Sequence, residues 1–162
     1  MITAGIDMGS RTVKVVFLEE LKVDGAPQLR WGVKGKHIMF PEDLDADQAA
    51  DKAFEDGLKD AGLTRDQVTK IVATGAGRKQ VKFATSDVTE VGAGARGAVF
   101  MCPTAKTVVD VGAEEGRGVK ANAEGKVVDF AGNEKCAAGA GAFAESMSRA
   151  LQLSLKEFGE AS

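Results

Sequence analysis

The sequence predicts an α/β fold in which a mixed sheet packs against helices in two related units. Short hydrophobic runs of strand type alternate with a long amphipathic helix. The pattern Asp-x-Gly ends a hydrophobic strand twice, at Asp7 and at Asp110, and each copy leads into a second strand. We therefore expect two copies of a three-strand meander followed by a helix, in a first domain at residues 1–103 and an incomplete second domain at residues 104–162.

Hydrophobic patterning predicts four strands in the first domain, at residues 2–7, 13–18, 28–36 and 68–73. The first two are joined by the short turn at residues 8–12 and should form a hairpin. The fourth is followed by a loop at residues 74–78 that contains two glycines.

Two helices are expected in the first domain. Apolar residues at helical spacing predict a helix over residues 45–61, capped by Asp43 or Asp45 and ended by Gly62. An alanine- and glycine-rich stretch predicts a second helix around residues 92–101.

The second domain repeats the beginning of the first. A strand that starts at Thr107 and contains Asp110 leads into strands at residues 117–121 and 126–130. The last element, at residues 140–155, is predicted to be one helix with apolar residues along one side.

The composition is that of a globular protein. With 162 residues, of which 44% are hydrophobic, the chain is long enough to bury a core. Its 24 acidic and 21 basic residues give a net charge of −3 without a basic block, so we expect no nucleic-acid partner. No apolar run approaches the roughly 20 residues that span a bilayer, and no signal peptide is visible, so we expect a cytoplasmic protein without a membrane partner.

Each Asp-x-Gly turn has the chemistry of a phosphate-binding loop. Glycine lets the backbone turn tightly and approach a ligand, so that successive N–H groups can point at phosphate oxygens. The strand-end aspartate offers oxygen to Mg²⁺, directly or through water. In the first loop Ser10, Thr12 and Lys14 add hydroxyl donors and a positive charge. Two such loops facing each other would clamp a nucleotide phosphate tail, whereas an isolated Asp-Gly pair often only ends a strand.

A second glycine pattern, G-x-G-x-x-G at Gly92–Gly97, could indicate a dinucleotide-binding loop. Residues 85–91 make a poor buried parallel strand, however, and Pro103 leaves too few residues for the long helix of that motif. We favour tight helix packing. A Ser-His-Asp hydrolase site is not expected either, because His37 is the only histidine and lies on a predicted surface strand.

Four segments carry a family resemblance: Gly5–Lys14, Ala73–Arg78, Val108–Gly112 and Asn133–Phe143. In this order they resemble the ATPases that activate 2-hydroxyacyl-CoA dehydratases and the ATPase subunits of benzoyl-CoA reductases. The resemblance covers essentially the whole chain. It implies the ribonuclease-H-like fold of actin, Hsp70 and sugar kinases, with two domains around an ATP cleft.

The resemblance also implies a site for ATP and Mg²⁺. Asp7 and Asp110 would act in catalysis and hold the metal. The implied nucleotide-binding residues are Gly9, Ser10, Arg11, Thr12, Lys14, Gly112 and Ala113. The stretch Gly112–Arg117 departs from the Gly-Gly-Gln-Asp of the dehydratase activators and looks like the D-type subunit of benzoyl-CoA reductase, so no role is carried over to Glu114 or Glu115.

Cys136 lies in Lys-Cys-Ala-Ala-Gly-Ala-Gly, ahead of the last predicted helix, where a helix dipole favours a thiolate. The resemblance implies that it ligates a [4Fe–4S] cluster shared with a second ATPase subunit, identical or related, each subunit giving two cysteines. The alternative is a small buried side chain. Cys102 matches no family motif and is interpreted as structural.

The function implied is ATP hydrolysis coupled to low-potential electron transfer to the core subunits of benzoyl-CoA reductase or a related acyl-CoA enzyme. The family's chains run on past residue 162, so the chain looks like an N-terminal portion that is inactive alone. A sugar or carboxylate kinase of the same superfamily remains an alternative, as do a chaperone-like or filament-forming member and a non-catalytic structural subunit.

Overall fold

The computed structural model describes residues 1–22, 30–41, 44–112, 116–133 and 140–161. These form two compact units, Met1–Glu90 and Val91–Ser162, which are described separately. This division differs from the sequence-based boundary at residue 103 by about the length of one helix, and that boundary stays a prediction.

The first unit is built on a five-stranded mixed sheet of β1 (Ile2–Met8), β2 (Val13–Leu21), β3 (Arg30–Met39), β4 (Val68–Thr74) and β5 (Ser86–Asp87). The strand order is β3-β2-β1-β4-β5. β1 is antiparallel to β2 and parallel to β4. The predicted hairpin is confirmed, and β3 extends three residues beyond its predicted end. β5 was missed because it has two residues, both exposed, and forms only by pairing with β4.

Helix α1 (Ala46–Ala61) packs on one face of this sheet. Its N-cap is Asp45, whose carboxylate accepts a hydrogen bond from the Gln48 N–H at 2.8 Å, while Asp43 lies outside the described residues. Gly62 ends the helix in the left-handed conformation, with φ of 65°. The largest fully buried side chains of the unit are Phe17, Phe54, Ile6 and Val13.

Alternation along β1 decides what each face of the sheet presents. Ala4, Ile6 and Met8 are buried in the cluster that includes α1, so Asp7 lies on the opposite face. The core therefore fixes the register that leaves the aspartate accessible at the end of β1.

The second unit contains helix α2 (Glu90–Met101) and an antiparallel meander of β6 (Thr107–Val111), β7 (Gly116–Ala121) and β8 (Val127–Gly132). Its small buried cluster joins Ala95 of α2 to Val119 and Ala121 of β7. Gly92–Gly97 lies inside α2, so the G-x-G-x-x-G pattern is helical and forms no strand-to-helix loop.

The last predicted helix is wrong in its extent. Helix α3 (Ala140–Ala150) ends early, Gln152 has φ of 56°, and a separate helix α4 (Leu155–Glu160) follows. The break has a local cause: the Ser154 hydroxyl accepts from the Glu157 N–H at 3.2 Å, and the Glu157 carboxylate accepts from the Ser154 N–H at 2.8 Å. This capping box starts a new helix. Among the described residues, no helix is long and apolar enough to span a bilayer.

Candidate phosphate-binding site

The first Asp-x-Gly turn forms the loop of the β1–β2 hairpin. Met8 pairs with Val13 at its base, and Asp7 pairs with Lys14 one step further from the loop. The Lys14 ammonium donates to Oδ2 of Asp7 at 2.9 Å, although the two side chains are 49% and 36% exposed. The Gly9 N–H donates to the Thr12 carbonyl at 3.1 Å and tightens the turn. The hairpin thus brings a cation, a carboxylate and a glycine turn together.

The remaining residues predicted for this loop lie beside them. Ser10 and Arg11 are exposed, and Thr12 is half-buried. All of the first-loop residues predicted from the sequence are therefore on one hairpin of the first unit, where their side chains or N–H groups can meet a ligand.

The loop at residues 74–78 supports the Asp7 hairpin from the end of β4. Gly75 has φ of 93°, and a Cβ atom there would lie 2.4 Å from the Met8 carbonyl oxygen and 2.6 Å from Oδ1 of Asp7. The Gly77 N–H donates to the same Met8 carbonyl at 2.9 Å. Only glycine fits at Gly75, since any side chain would displace the Asp7 carboxylate or the backbone beside it.

Thr74 has a buried hydroxyl without a hydrogen-bond partner among the described residues. Thr74 is the register partner of Asp7 in the parallel β1–β4 pair, so the two side chains share a face of the sheet. A buried hydroxyl without a partner is unfavourable and calls for a physical reason. Water or a ligand held beside Asp7 would supply the missing bond.

Ion pairs hold the supporting loop to β5. Asp87 accepts from Nζ of Lys79 at 2.8 Å and from Nε of Arg78 at 3.2 Å, while the Arg78 guanidinium also donates to the Gly75 carbonyl at 3.2 Å. The Lys79 hydrogen bond lowers the pKa of Asp87, and Arg78 lowers it further. The carboxylate therefore keeps its charge and continues to anchor the loop under Asp7.

A cavity of about 440 Å³ opens on the α1 side of the first loop, beside Gly9 and Ser10. Its other lining residues are neutral: Met8, Pro41, Leu44, Ala46, Ala49, Ala76, Gly77 and Gln80. A lining without charge suits water or an uncharged group better than a phosphate.

The second Asp-x-Gly turn joins β6 to β7 in the second unit. Val111 pairs with Gly116, and Asp110 pairs with Arg117. Asp110 is exposed and Arg117 is half-buried. Gly112 follows β6, whereas Ala113, Glu114 and Glu115 lie outside the described residues.

Arg117 was not among the candidates predicted from the sequence. The signal was available: Arg117 follows Asp110 by the same number of residues as Lys14 follows Asp7. Equal spacing across two hairpins of equal loop length gives equal cross-strand positions.

The predicted cluster ligand Cys136 also lies outside the described residues. Within the described ranges, no group of three or more His, Cys, Asp or Glu residues could hold a metal ion. Cys102 is exposed at the end of α2, and the Thr104 hydroxyl, 3.5 Å from its Sγ, lowers the pKa of its thiol. The roles of Asp7 and Asp110 as magnesium ligands, and of Cys136 as a cluster ligand, stay predictions.

Comparison with known proteins places this geometry in context. The sequence model of the BadF/BadG/BcrA/BcrD ATPase family matches residues 4–162. The chain is 34% identical to the activator of lactoyl-CoA dehydratase from Anaerotignum propionicum, over 99% of this chain and 58% of that protein. It is also 34% identical to the D-type subunit of benzoyl-CoA reductase from Thauera aromatica, over 99% of this chain and 55% of that protein.

A solved structure gives the same picture. The activator of the 2-hydroxyisocaproyl-CoA dehydratase from Clostridium difficile, solved with bound ADPNP, superimposes with a TM-score of 0.81 at 27% identity, over 97% of this chain and 55% of that one. The fold class expected from the sequence, that of actin, Hsp70 and sugar kinases, is confirmed. The chain spans somewhat more than half the length of the relatives it matches. Because the family model covers nearly every residue, the chain belongs to the BadF/BadG/BcrA/BcrD ATPase family.

Proposed function

We propose that this chain carries the phosphate-binding hairpins of an activator ATPase that couples ATP hydrolysis to low-potential electron transfer. The electron would pass through a [4Fe–4S] cluster to benzoyl-CoA reductase or a related acyl-CoA enzyme. Family membership and the names of the relatives support this proposal. The observation that carries it is the contact of Lys14 with Asp7 beside a glycine turn that Gly75 supports.

The Lys14–Asp7 pair suits an exchange of partners. A phosphate chain offers Lys14 more negative charge than one carboxylate does, and Mg²⁺ offers Asp7 more positive charge than one ammonium does. An ion pair this exposed contributes only about 0–1 kcal/mol, so separating it costs little. We therefore expect both groups to leave each other when magnesium and ATP bind.

Hydrolysis of ATP then depends on positioning and charge stabilisation, without covalent catalysis by the protein. Lys14, the hydroxyls of Ser10 and Thr12, and N–H groups of the loop would hold phosphate oxygens. Asp7 and Asp110 would hold Mg²⁺, directly or through water. The ion, when bound, neutralises charge that develops on the phosphate.

The electron-transfer part of the proposal rests on Cys136 and the family. A [4Fe–4S] cluster needs four thiolates, and the chain has two cysteines, so a second subunit must contribute. When bound, such a cluster supplies one-electron transfer at low potential. We propose that two ATPase subunits share it, and that they act on reductase core subunits in the cytoplasm.

A sugar or carboxylate kinase would need a carboxylate to receive the proton of an acceptor hydroxyl. The cavity next to the first loop has no such group among its lining residues. This favours water over a hydroxyl substrate as the phosphate acceptor.

Titration of fluorescent ATP with magnesium tests the proposed nucleotide site. Lys34 provides a matched control, because it is 40% exposed and pairs with Glu19 at 3.3 Å on the same sheet. Lys14→Gln should weaken binding about tenfold or more, since it removes a charged hydrogen bond, whereas Lys34→Gln should not. Equal affinities of the two variants would contradict the proposal.

A further inference from the structure

The two hairpins that carry the Asp-x-Gly turns have the same register. In the first, Met8 and Val13 close a loop at residues 9–12. In the second, Val111 and Gly116 close a loop at residues 112–115. Each loop therefore has four residues, and the pair behind each closing pair joins the strand-end aspartate to one residue of the return strand.

In both hairpins that residue is a cation. Lys14 stands opposite Asp7, and Arg117 stands opposite Asp110. Side chains of directly opposed residues in antiparallel strands project from the same face, with their Cβ atoms about 4.5–5.5 Å apart. Arg117 therefore starts from the same position relative to its aspartate and its glycine turn as Lys14 does in the first unit.

The neighbouring strand leaves room for the arginine. Gly132 of β8 is the other cross-strand partner of Arg117, and a Cβ atom there would lie 3.9 Å from Cγ of Arg117. The half-buried stem thus lies along the sheet beside a glycine. Such a stem leaves the guanidinium at the loop end of the strands.

We propose that Arg117 is the phosphate-binding cation of the second hairpin and contacts oxygens of the nucleotide phosphate chain. This inference rests on the proposed function and adds a residue to it. A guanidinium donates to two phosphate oxygens at once and keeps its charge at all accessible pH values, so it suits a polyphosphate better than an ammonium does.

The plainer interpretation is that Arg117 only balances the charge of Asp110. The two interpretations predict different results. A counter-ion affects stability and leaves selectivity among nucleotides unchanged, whereas a phosphate ligand affects affinity according to the number of phosphates.

The experiment titrates Mg-ATP, Mg-ADP, AMP and inorganic tripolyphosphate into wild type, Arg117→Gln, Arg117→Lys and Lys120→Gln. Lys120 is the matched control, because it lies on the same strand but three residues on, and so faces the other side of the sheet. Thermal unfolding of each variant confirms that it is folded.

We expect Arg117→Gln to lose about tenfold or more in affinity for ATP and tripolyphosphate, and to change little for AMP. Arg117→Lys should lose less, and Lys120→Gln should match wild type. If wild type binds ATP or tripolyphosphate and Arg117→Gln binds them equally well, the inference is overturned while the proposed function stands. A wild type that binds neither ligand overturns both.

Discussion

The backbone of Gly75 lies so close to the Asp7 carboxylate that a Cβ atom at Gly75 would sit 2.6 Å from Oδ1. The two residues are far apart in the chain and meet because β1 and β4 are parallel neighbours. The glycine therefore fixes the place of the carboxylate that we assign to magnesium.

Replacing Gly75 should be costly. Gly75→Ala puts a side chain at φ of 93° and against the Met8 carbonyl, so we expect a loss of about 1–3 kcal/mol in the free energy of unfolding. Urea denaturation measures it. The control is Gly94→Ala in α2, where nothing lies within 4 Å of the new atom and stability should rise by about 0.5–1 kcal/mol. Equal effects of the two substitutions would rule out the close approach.

The unpaired hydroxyl of Thr74 gives a second prediction. Thr74→Val removes a buried group without a described partner, so it should leave stability unchanged or raise it, while weakening Mg-ATP binding. Thr85→Val is the contrast, because the Thr85 hydroxyl donates to the Ile71 carbonyl at 2.7 Å and accepts from its N–H at 3.3 Å. It should lose about 1–3 kcal/mol. A Thr74→Val protein that binds Mg-ATP like wild type would remove Thr74 from the site.

The anchor of the supporting loop should depend on pH. Because Lys79 and Arg78 lower the pKa of Asp87 from its ordinary 3.8, the folded state holds the charged form more strongly than the unfolded state does. The resulting stability is present above about pH 4 and is lost as the pH falls through the lower folded value. The difference in unfolding free energy between wild type and Asp87→Asn should therefore shrink below about pH 4.

A second variant checks the cause of this dependence. Lys79→Gln removes the largest contribution to the lowered pKa, so its difference from wild type should also shrink as the pH falls. Denaturation at a series of pH values measures both differences. A difference that grows on acidification would mean that Asp87 does not anchor the loop through its charge.

The cluster proposal makes Cys136 necessary and Cys102 dispensable. Anaerobic reconstitution, with iron and sulfide counted per chain, should give an iron–sulfur absorbance in wild type and in Cys102→Ser, and none in Cys136→Ser. The exposed Cys102 is the right control because it is the only other cysteine of the chain. Loss of the cluster in Cys102→Ser alone would reverse the assignment.

Local signals explain what the sequence could predict. The β1–β2 hairpin follows from alternation around a glycine turn, and α1 follows from helical spacing between Asp45 and Gly62. The break before α4 was missed although it is also local, because apolar residues continue across it at helical spacing. The Ser154–Glu157 capping box in the sequence carried the information.

Non-local contacts explain the rest. β5 has only two residues, and its strand character comes from pairing with β4. Neither the approach of Gly75 to Asp7 nor the unpaired Thr74 hydroxyl can be deduced from neighbours in the chain, because both arise from the parallel register of β1 and β4. Arg117 became a candidate once the β6–β7 register was known.

The central claim is that Asp7 exchanges Lys14 for magnesium when ATP binds. The most direct test measures ATP affinity with and without Mg²⁺ in wild type, Asp7→Asn and Glu19→Gln, the last being a carboxylate on the same sheet that pairs with Lys34. We predict that Mg²⁺ raises the affinity of wild type and Glu19→Gln, and that Asp7→Asn loses most of this gain. An Asp7→Asn protein that keeps the full magnesium effect would contradict the account.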